Sequence, residues 1–142
     1  MTAKEYLSRI RRQKYILEQV EKEMLEVRSD ILTLRASSLS EKVTGTKDSD
    51  LADSYIKLEK YFEEVNTEWD KLIDKRREAK ALIKMLPDAQ QQAILYARYI
   101  NCEDWEKIAV EMHFSWRNIF YLHGKALQAF GSLHRIALAK GV

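Results

Sequence analysis

The first 86 residues place apolar side chains at the seven-residue period of a helix seam. Residues 2–36 contain neither Gly nor Pro, and apolar residues recur at two positions of each heptad. One position holds Ala3, Ile10, Leu17, Met24 and Ile31, and the other holds Tyr6, Gln13, Val20, Val27 and Leu34. The pattern predicts one long helix with a narrow apolar seam, which would span roughly 50 Å at about 1.5 Å per residue.

A second seam follows a segment rich in Ser, Thr and Asp. Residues 37–50, SSLSEKVTGTKDSD, favour a loop, and Ser49 or Asp50 can cap the next helix. Apolar positions then recur at steps of four and three from Leu51 to Leu86, and Pro87 ends the helix because it lacks a backbone donor. Residues 1–86 are therefore predicted to form an antiparallel helical hairpin, a coiled coil. The same seams would also suit pairing with another subunit, so this region is a candidate oligomerisation or partner surface.

Residues 87–142 carry the pattern of several shorter helices. One helix is predicted from Asp88 through Ile100, and residues 101–103 interrupt it before a second helix that Asp104 can cap. The chain is then expected to stay helical to about Ala139, with Leu133, Ile136 and Ala137 extending its apolar face. The whole chain is thus predicted to be all-α.

Residues 104–130 predict two helices joined by a tight turn. The first has the inner face Ile108, Ala109 and Met112, and the second buries Ile119, Leu122, Ala126 and Phe130. The turn falls at His113 and Phe114, where a positive φ is often required, and His tolerates such a φ better than most residues. Ser115 can cap the second helix. This arrangement predicts a helix-turn-helix, in which the second helix enters the DNA major groove.

The outer face of the second helix has the side chains that bind DNA. Arg117 can pair with guanine and Asn118 with adenine, each through two hydrogen bonds. Tyr121 and Lys125 suit backbone phosphates, and the backbone amides that follow Ser115 can hold a phosphate. Trp116 can pack either on deoxyribose or a thymine methyl group, or over the junction with the preceding helix. The candidate DNA-binding residues are Ser115, Trp116, Arg117, Asn118, Tyr121 and Lys125.

Charge is distributed unevenly, although the net charge is only +2. Between Pro87 and Phe114 there are five acidic and two basic residues. From Ser115 to Val142 there are four basic residues and no acidic ones. This asymmetry places positive charge on the second helix and after it, as binding to double-stranded DNA requires.

The chain shows no pattern of an enzyme. His113, His123 and His134 are not spaced as metal ligands on one helix face, and no phosphate loop or nucleophile motif occurs. We therefore expect no catalytic residue, no metal and no cofactor; Trp105 and His123 are expected to be structural. The single cysteine, Cys102, fits a reducing compartment, and no apolar run has membrane-spanning length. The expected location is the cytoplasm, without a membrane partner.

Several short motifs resemble the fourth region of bacterial sigma factors and the regulators built on it. They are LP at 86–87, RYI at 98–100, WEKIAVEM at 105–112, Ser115 and LHGKAL at 122–127. With its N-terminal AKEYLSRI, the whole chain is similar in layout to small phage and prophage proteins of Gram-positive bacteria, the ArpU/RinA-type late-gene regulators. The resemblance implies an activator of phage transcription, with RNA polymerase as a further partner. A DNA-packaging recognition subunit and a module that binds polymerase without DNA are the alternatives, and stoichiometry separates the packaging subunit from a regulator.

Overall fold

The computed structural model describes residues 1–40 and 45–141, and these are helical without any strand. In chain order the elements are α1 (Ala3–Ser40), α2 (Gly45–Lys84), α3 (Ala89–Leu95), a π-helical segment (Tyr96–Ile100), α4 (Trp105–Glu111), α5 (Trp116–Leu133) and α6 (Arg135–Ala139). The all-α prediction is confirmed. None of the described helices has the length and apolarity needed to cross a membrane.

The two long helices, α1 and α2, pack together as the predicted antiparallel hairpin. The chain divides into two compact units, one of residues 14–71 and the other of residues 1–13 with 72–142. In the first unit the seam positions Leu17, Val20, Ile31 and Val65 are buried. The heptad pattern therefore identified part of the inner face of the hairpin, since burial of such a stripe is what stabilises a paired helix. The positions Tyr55, Phe62 and Trp69 of the predicted α2 seam are 45%, 49% and 41% exposed, so the prediction is wrong for these three.

The predicted loop at residues 37–50 is wrong at both of its ends. Helix α1 continues to Ser40, and α2 already begins at Gly45, so Ser49 and Asp50 lie inside a helix instead of capping one. Ser, Thr and Asp have only weak preferences against a helix, and extending an existing helix adds one hydrogen bond for each residue fixed. Residues 41–44 of the predicted loop lie outside the described residues.

The second compact unit joins the base of the hairpin to all the later helices. The Tyr6 ring stacks on Phe130 with 5.9 Å between centroids, and His134 Nε2 lies 2.7 Å from the Leu82 carbonyl. Arg11 Nη1 donates to the Arg98 carbonyl at 3.1 Å. Pro87 therefore marks the end of α2 and not the edge of a compact unit, because helices as short as α3 and α4 need a neighbour to bury their apolar faces.

The C-terminal end differs from the predicted uninterrupted helix. The helix breaks at His134, where φ is −106°, and the separate helix α6 follows. Leu133 and Ile136, predicted to extend the apolar face, are 46% and 74% exposed, whereas His134 and Leu138 are buried. The break changes which residues share a face, and the spacing rule for a continuous helix therefore fails beyond residue 133.

Candidate nucleic-acid interface

Helices α4 and α5 are held together by a small apolar core. Ile94 of α3, Ile108 and Ala109 of α4 and Ile119 of α5 are all buried in one cluster. Ala109 has the smallest of these side chains, which is why the second helix can pass close to α4. The position of α5 is thus fixed by residues that the sequence assigned to the inner faces of these helices.

The turn between the two helices ends α4 with a Schellman motif. The backbone N–H of Phe114 donates to the Ala109 carbonyl at 3.0 Å, and that of His113 donates to the Val110 carbonyl at 3.3 Å. His113 has a φ of 57°, in the left-handed region that this motif requires at the residue after the helix. The expected positive φ at His113 is therefore confirmed.

The predicted side-chain cap is present at Ser115 and absent at Asp104, and Asp88 caps α3 in addition. Ser115 Oγ accepts the Asn118 backbone N–H at 3.2 Å, which fixes the start of α5. Asp88 Oδ1 accepts from Gln90 and Gln91 at 2.8 and 3.0 Å at the start of α3. Asp104 occupies the cap position of α4, but its side chain makes no capping hydrogen bond. Only its carbonyl takes part, by accepting the Ile108 N–H at 3.1 Å.

The opposite faces of α5 differ as a DNA-reading helix requires. Ile119, His123, Ala126 and Phe130 are buried. Arg117, Tyr121 and Lys125 are exposed and Asn118 is half-buried. The Lys125 ammonium lies 5.6 Å from the centre of the Tyr121 ring, so these two side chains form one cationic and aromatic patch. The structure thus brings four predicted residues onto the outer surface of one helix.

Trp116 belongs to a row of three aromatic rings that we call the aromatic row: Trp116, Phe120 and Trp105. Trp116 is 53% exposed and meets Phe120 edge-on at 5.0 Å between centroids. Phe120 in turn packs on Trp105 of α4 at 5.2 Å. Trp116 therefore reaches α4 through Phe120 and keeps much of its own ring available to a ligand beside the start of α5.

The charges around α5 are compatible with a polyanion. No acidic residue occurs within Trp116–Leu133. The acidic residues near α4 are partly neutralised. Lys107 lies 3.7 Å from the Glu103 carboxylate and 3.8 Å from the Glu111 carboxylate, so both carboxylates are paired with one cation. The positive end of the α5 dipole adds to the attraction for phosphate near Ser115.

His123 is a buried partner of the π-helical segment. Its Nε2 lies 2.7 Å from the Tyr99 hydroxyl, and its ring lies 4.5 Å from that of Trp105. Burial, together with the positive charges of Lys4 and Arg98, lowers the pKa of His123 to about 4. The imidazole is therefore neutral at neutral pH, in keeping with the structural role that the sequence suggested.

Trp105 and Cys102 also have defined surroundings. Trp105 was predicted to pack against Tyr99 and Ile100; it is half-buried, and its ring stacks under the Arg98 guanidinium at 4.6 Å. Cys102 has a φ of 55°, and its Sγ lies 3.4 Å from the Tyr99 carbonyl. Over the described parts of the chain, no group of three or more His, Cys, Asp or Glu side chains is placed to hold a metal ion.

Most of the chain, including α4 and nearly all of α5, matches a known protein family. The model of a family described as a protein of unknown function, DUF1492, matches residues 32–130, which is more than half of the chain. The chain belongs to the DUF1492 family. The DUF1492 match includes all of α4 and ends at Phe130, the last buried residue of α5. No curated protein and no solved structure matches the chain.

One set of polar residues is brought together only by the tertiary fold and was not predicted from the sequence. Lys4, Ser8 and Arg11 share a face of α1, and their spacing of four and three is visible in the sequence. Arg98 and His123 join them only through the tertiary fold, at a cavity beside the DUF1492 helices α4 and α5. A contact between residues about 90 positions apart leaves no periodic signal.

Proposed function

We propose that this protein is a sequence-specific DNA-binding regulator of transcription that acts through α5. The observation that carries the proposal is the outer face of α5, where Arg117, Asn118, Tyr121 and Lys125 lie opposite an entirely buried face. A helix-turn-helix needs this combination, because one face of its second helix must pack on the rest of the domain while the other presents polar side chains to the DNA. The absence of acidic residues from α5 supports the same conclusion.

The mechanism assigns the two ends of the exposed face different roles. Arg117 and Asn118 lie in the first turn of α5, from which side chains reach base edges in the major groove. Lys125 and the Tyr121 hydroxyl bind backbone phosphates, which set the register without reading sequence. The Ser115 cap holds the first turn in place, and the free backbone N–H groups there donate hydrogen bonds to a phosphate oxygen. Trp116 packs against deoxyribose at the edge of the groove.

The resemblance to ArpU/RinA-type regulators and to sigma region four extends the proposal to activation of phage or prophage genes in a bacterial host. Contact with RNA polymerase would supply the activation step. A packaging subunit would share the DNA contacts but form a large ring, and a polymerase-binding module would lack affinity for DNA. Both alternatives are outcomes of the experiments that follow.

The first test measures DNA affinity after selection of bound duplexes from a random pool. We expect Arg117→Ala to weaken binding by about 1–3 kcal/mol and to relax preference at one base pair. Lys125→Ala should weaken binding to all sequences alike and reduce the salt slope by about one. The readout is fluorescence anisotropy of labelled duplex over a series of salt concentrations.

Arg135→Ala is the matched control, because Arg135 is an exposed Arg that lies on α6 and not on the outer face of α5. It should leave both affinity and preference nearly unchanged. If the selection returns no preferred sequence, or if Arg135→Ala weakens binding as much as Arg117→Ala, groove reading by α5 is rejected.

We further propose that the hairpin joins copies of this chain. In the unit of residues 14–71, Tyr55, Phe62 and Trp69 recur at seven-residue spacing, yet they are 45%, 49% and 41% exposed. Each belongs to the apolar pattern of α2, but Val65 of the same pattern is buried. An exposed heptad line of large aromatic residues is typical of a helix that packs against another copy.

Replacing all three residues by Ser should convert an assembled protein to a monomer, because the line would lose most of its apolar area. Light scattering after gel filtration measures the mass. The control is Tyr15→Ser, since Tyr15 is 61% exposed on α1 and lies outside this line. A wild-type chain that is monomeric at micromolar concentration would contradict the proposal, and a large ring would favour the packaging function.

A further inference from the structure

A cavity of about 240 Å³ opens in the unit of residues 1–13 and 72–142. Four elements surround it: the start of α1, the π-helical segment, α4 and α5. Its polar lining comes from Lys4, Ser8, Arg11, Arg98 and His123. The nucleic-acid interface proposed above does not use these side chains, so their assembly calls for a separate explanation.

The cavity concentrates positive charge. Lys4, Arg11 and Arg98 line it, and no carboxylate does. Among the residues that the structure describes, the ion pairs involve none of these three cations. Asp104 is a counter-charge that acts on Arg98, and it lies outside the lining. Three cations gathered around one space repel one another unless an anion lies between them.

The effect of this repulsion is visible in two neighbouring groups. Burial and then the charge of Arg11 lower the pKa of Arg98. Burial, followed by the charges of Lys4 and Arg98, lowers the pKa of His123 to about 4. The neighbouring cations therefore disfavour the charged forms of Arg98 and His123, and a bound anion would offset that effect.

The two guanidinium groups are held in place before any ligand arrives. Arg98 lies over the Trp105 ring, and its Nη1 donates to the Glu103 carbonyl at 3.0 Å. Arg11 donates through Nη1 to the Arg98 carbonyl at 3.1 Å. A guanidinium has five N–H groups, and these bonds use only Nη1 of each, so the other nitrogens remain as donors. Such fixed donors lose little entropy on binding.

The π-helical segment forms one wall of the cavity. It contributes Arg98 and Tyr99 to the lining, and the Tyr99 hydroxyl lies 2.7 Å from His123 Nε2. Single π-helical turns are rare and occur often at functional sites. The π-helical segment at the cavity is therefore consistent with a functional role for this site.

We propose that this cavity binds a phosphate group, held by Lys4, Arg11, Arg98 and the Ser8 hydroxyl. The volume is below the roughly 300–1,000 Å³ of ordinary small-molecule pockets, so one phosphate with at most one small substituent fits. Phosphate matches the site because its oxygens accept several N–H donors and its charge offsets more than one cation. The phosphate can come from a free metabolite or from a nucleic-acid backbone.

Titration of the full chain with inorganic phosphate tests the site, at constant ionic strength in chloride. We expect saturable binding by calorimetry, and saturable shifts of the Ser8 amide and Trp105 indole signals in ¹H–¹⁵N spectra. Lys4→Gln should weaken phosphate binding by about ten-fold, since it removes one charge-assisted hydrogen bond. Lys22→Gln is the matched control, because Lys22 is an exposed Lys elsewhere on α1. It should bind phosphate as the wild type does.

Two results would overturn the proposal: signal shifts that never saturate, or equal weakening by Lys4→Gln and Lys22→Gln. Circular dichroism tests whether both variants are folded.

A saturating DNA duplex then distinguishes the two sources of the phosphate. If a backbone phosphate occupies the cavity, the duplex blocks inorganic phosphate and Lys4→Gln lowers the salt slope of DNA binding. If the ligand is a free metabolite, phosphate binds equally well with or without the duplex. The phosphate titration contains no DNA, so its outcome is separate from that of the proposed regulator function.

Discussion

Replacing Phe130 by Ala should lower the free energy of unfolding by about 3–5 kcal/mol. Phe130 is fully buried and stacks on Tyr6 of α1 at 5.9 Å between centroids. Its ring also meets that of His134 edge-on at 4.7 Å. The substitution removes a large apolar group from a site where three chain segments meet, and helices on both sides would have to move to fill the cavity. Urea unfolding followed by circular dichroism measures the change.

Phe120→Ala is the matched control for this prediction. Phe120 lies on the same helix but is 40% exposed, so its removal leaves an open surface and little cavity. We expect a loss of about 1 kcal/mol there. If the two substitutions destabilise the protein equally, Phe130 does not join α5 to the hairpin base in the way that the packing indicates.

The second large effect is a loss of stability in mild acid, caused by His123. The pKa of this imidazole is lowered to about 4 in the folded chain, whereas an unfolded His titrates near 6.5. Between these two values the unfolded chain binds more protons, so stability falls as pH falls from about 6.5 toward 4. The loss attributable to His123 should reach about 3 kcal/mol at the acid end of this window. Urea unfolding at a series of pH values measures the slope.

His123→Gln isolates the contribution of His123 to the pH dependence. Gln cannot titrate, but its side-chain oxygen can still accept a hydrogen bond from the Tyr99 hydroxyl. The variant should be less stable than the wild type at pH 7, yet its stability should depend less on pH below 6.5. His113→Gln serves as the control, since His113 is exposed in the turn and its replacement should leave the pH slope intact. An unchanged slope in His123→Gln would mean that other groups carry the acid sensitivity.

The local patterns in the sequence were sufficient for much of the fold. Heptad spacing predicted the hairpin, because an apolar stripe at this period can be buried only against another helix. Ser115 was recognised as a cap from residue type alone and accepts the expected backbone N–H group, and the helix predicted to start at Asp88 is capped by that side chain. The positive φ at His113 was predicted in the same way, from the needs of a tight turn.

Features that depend on tertiary contacts were not predictable in this way. The break at His134 follows no local signal, because its imidazole lies against the Leu82 carbonyl, about 50 residues earlier. The π-helical segment and the cluster of Lys4, Arg11 and Arg98 likewise depend on how distant helices meet. For the proposed DNA contacts, the sequence identified the exposed face of α5, but the row from Trp116 to Trp105 required the fold.

The aromatic row has an optical consequence. Two of the three tryptophans lie at its ends: Trp116 is in contact with solvent, while Trp105 lies between a guanidinium and an imidazole. Emission from Trp116 should therefore resemble that of indole in water, and emission from the half-buried Trp105 should lie at shorter wavelength. With Trp69 replaced by Phe, the remaining spectrum would report the proposed groove contact through Trp116 and the proposed phosphate binding through Trp105, without any attached dye.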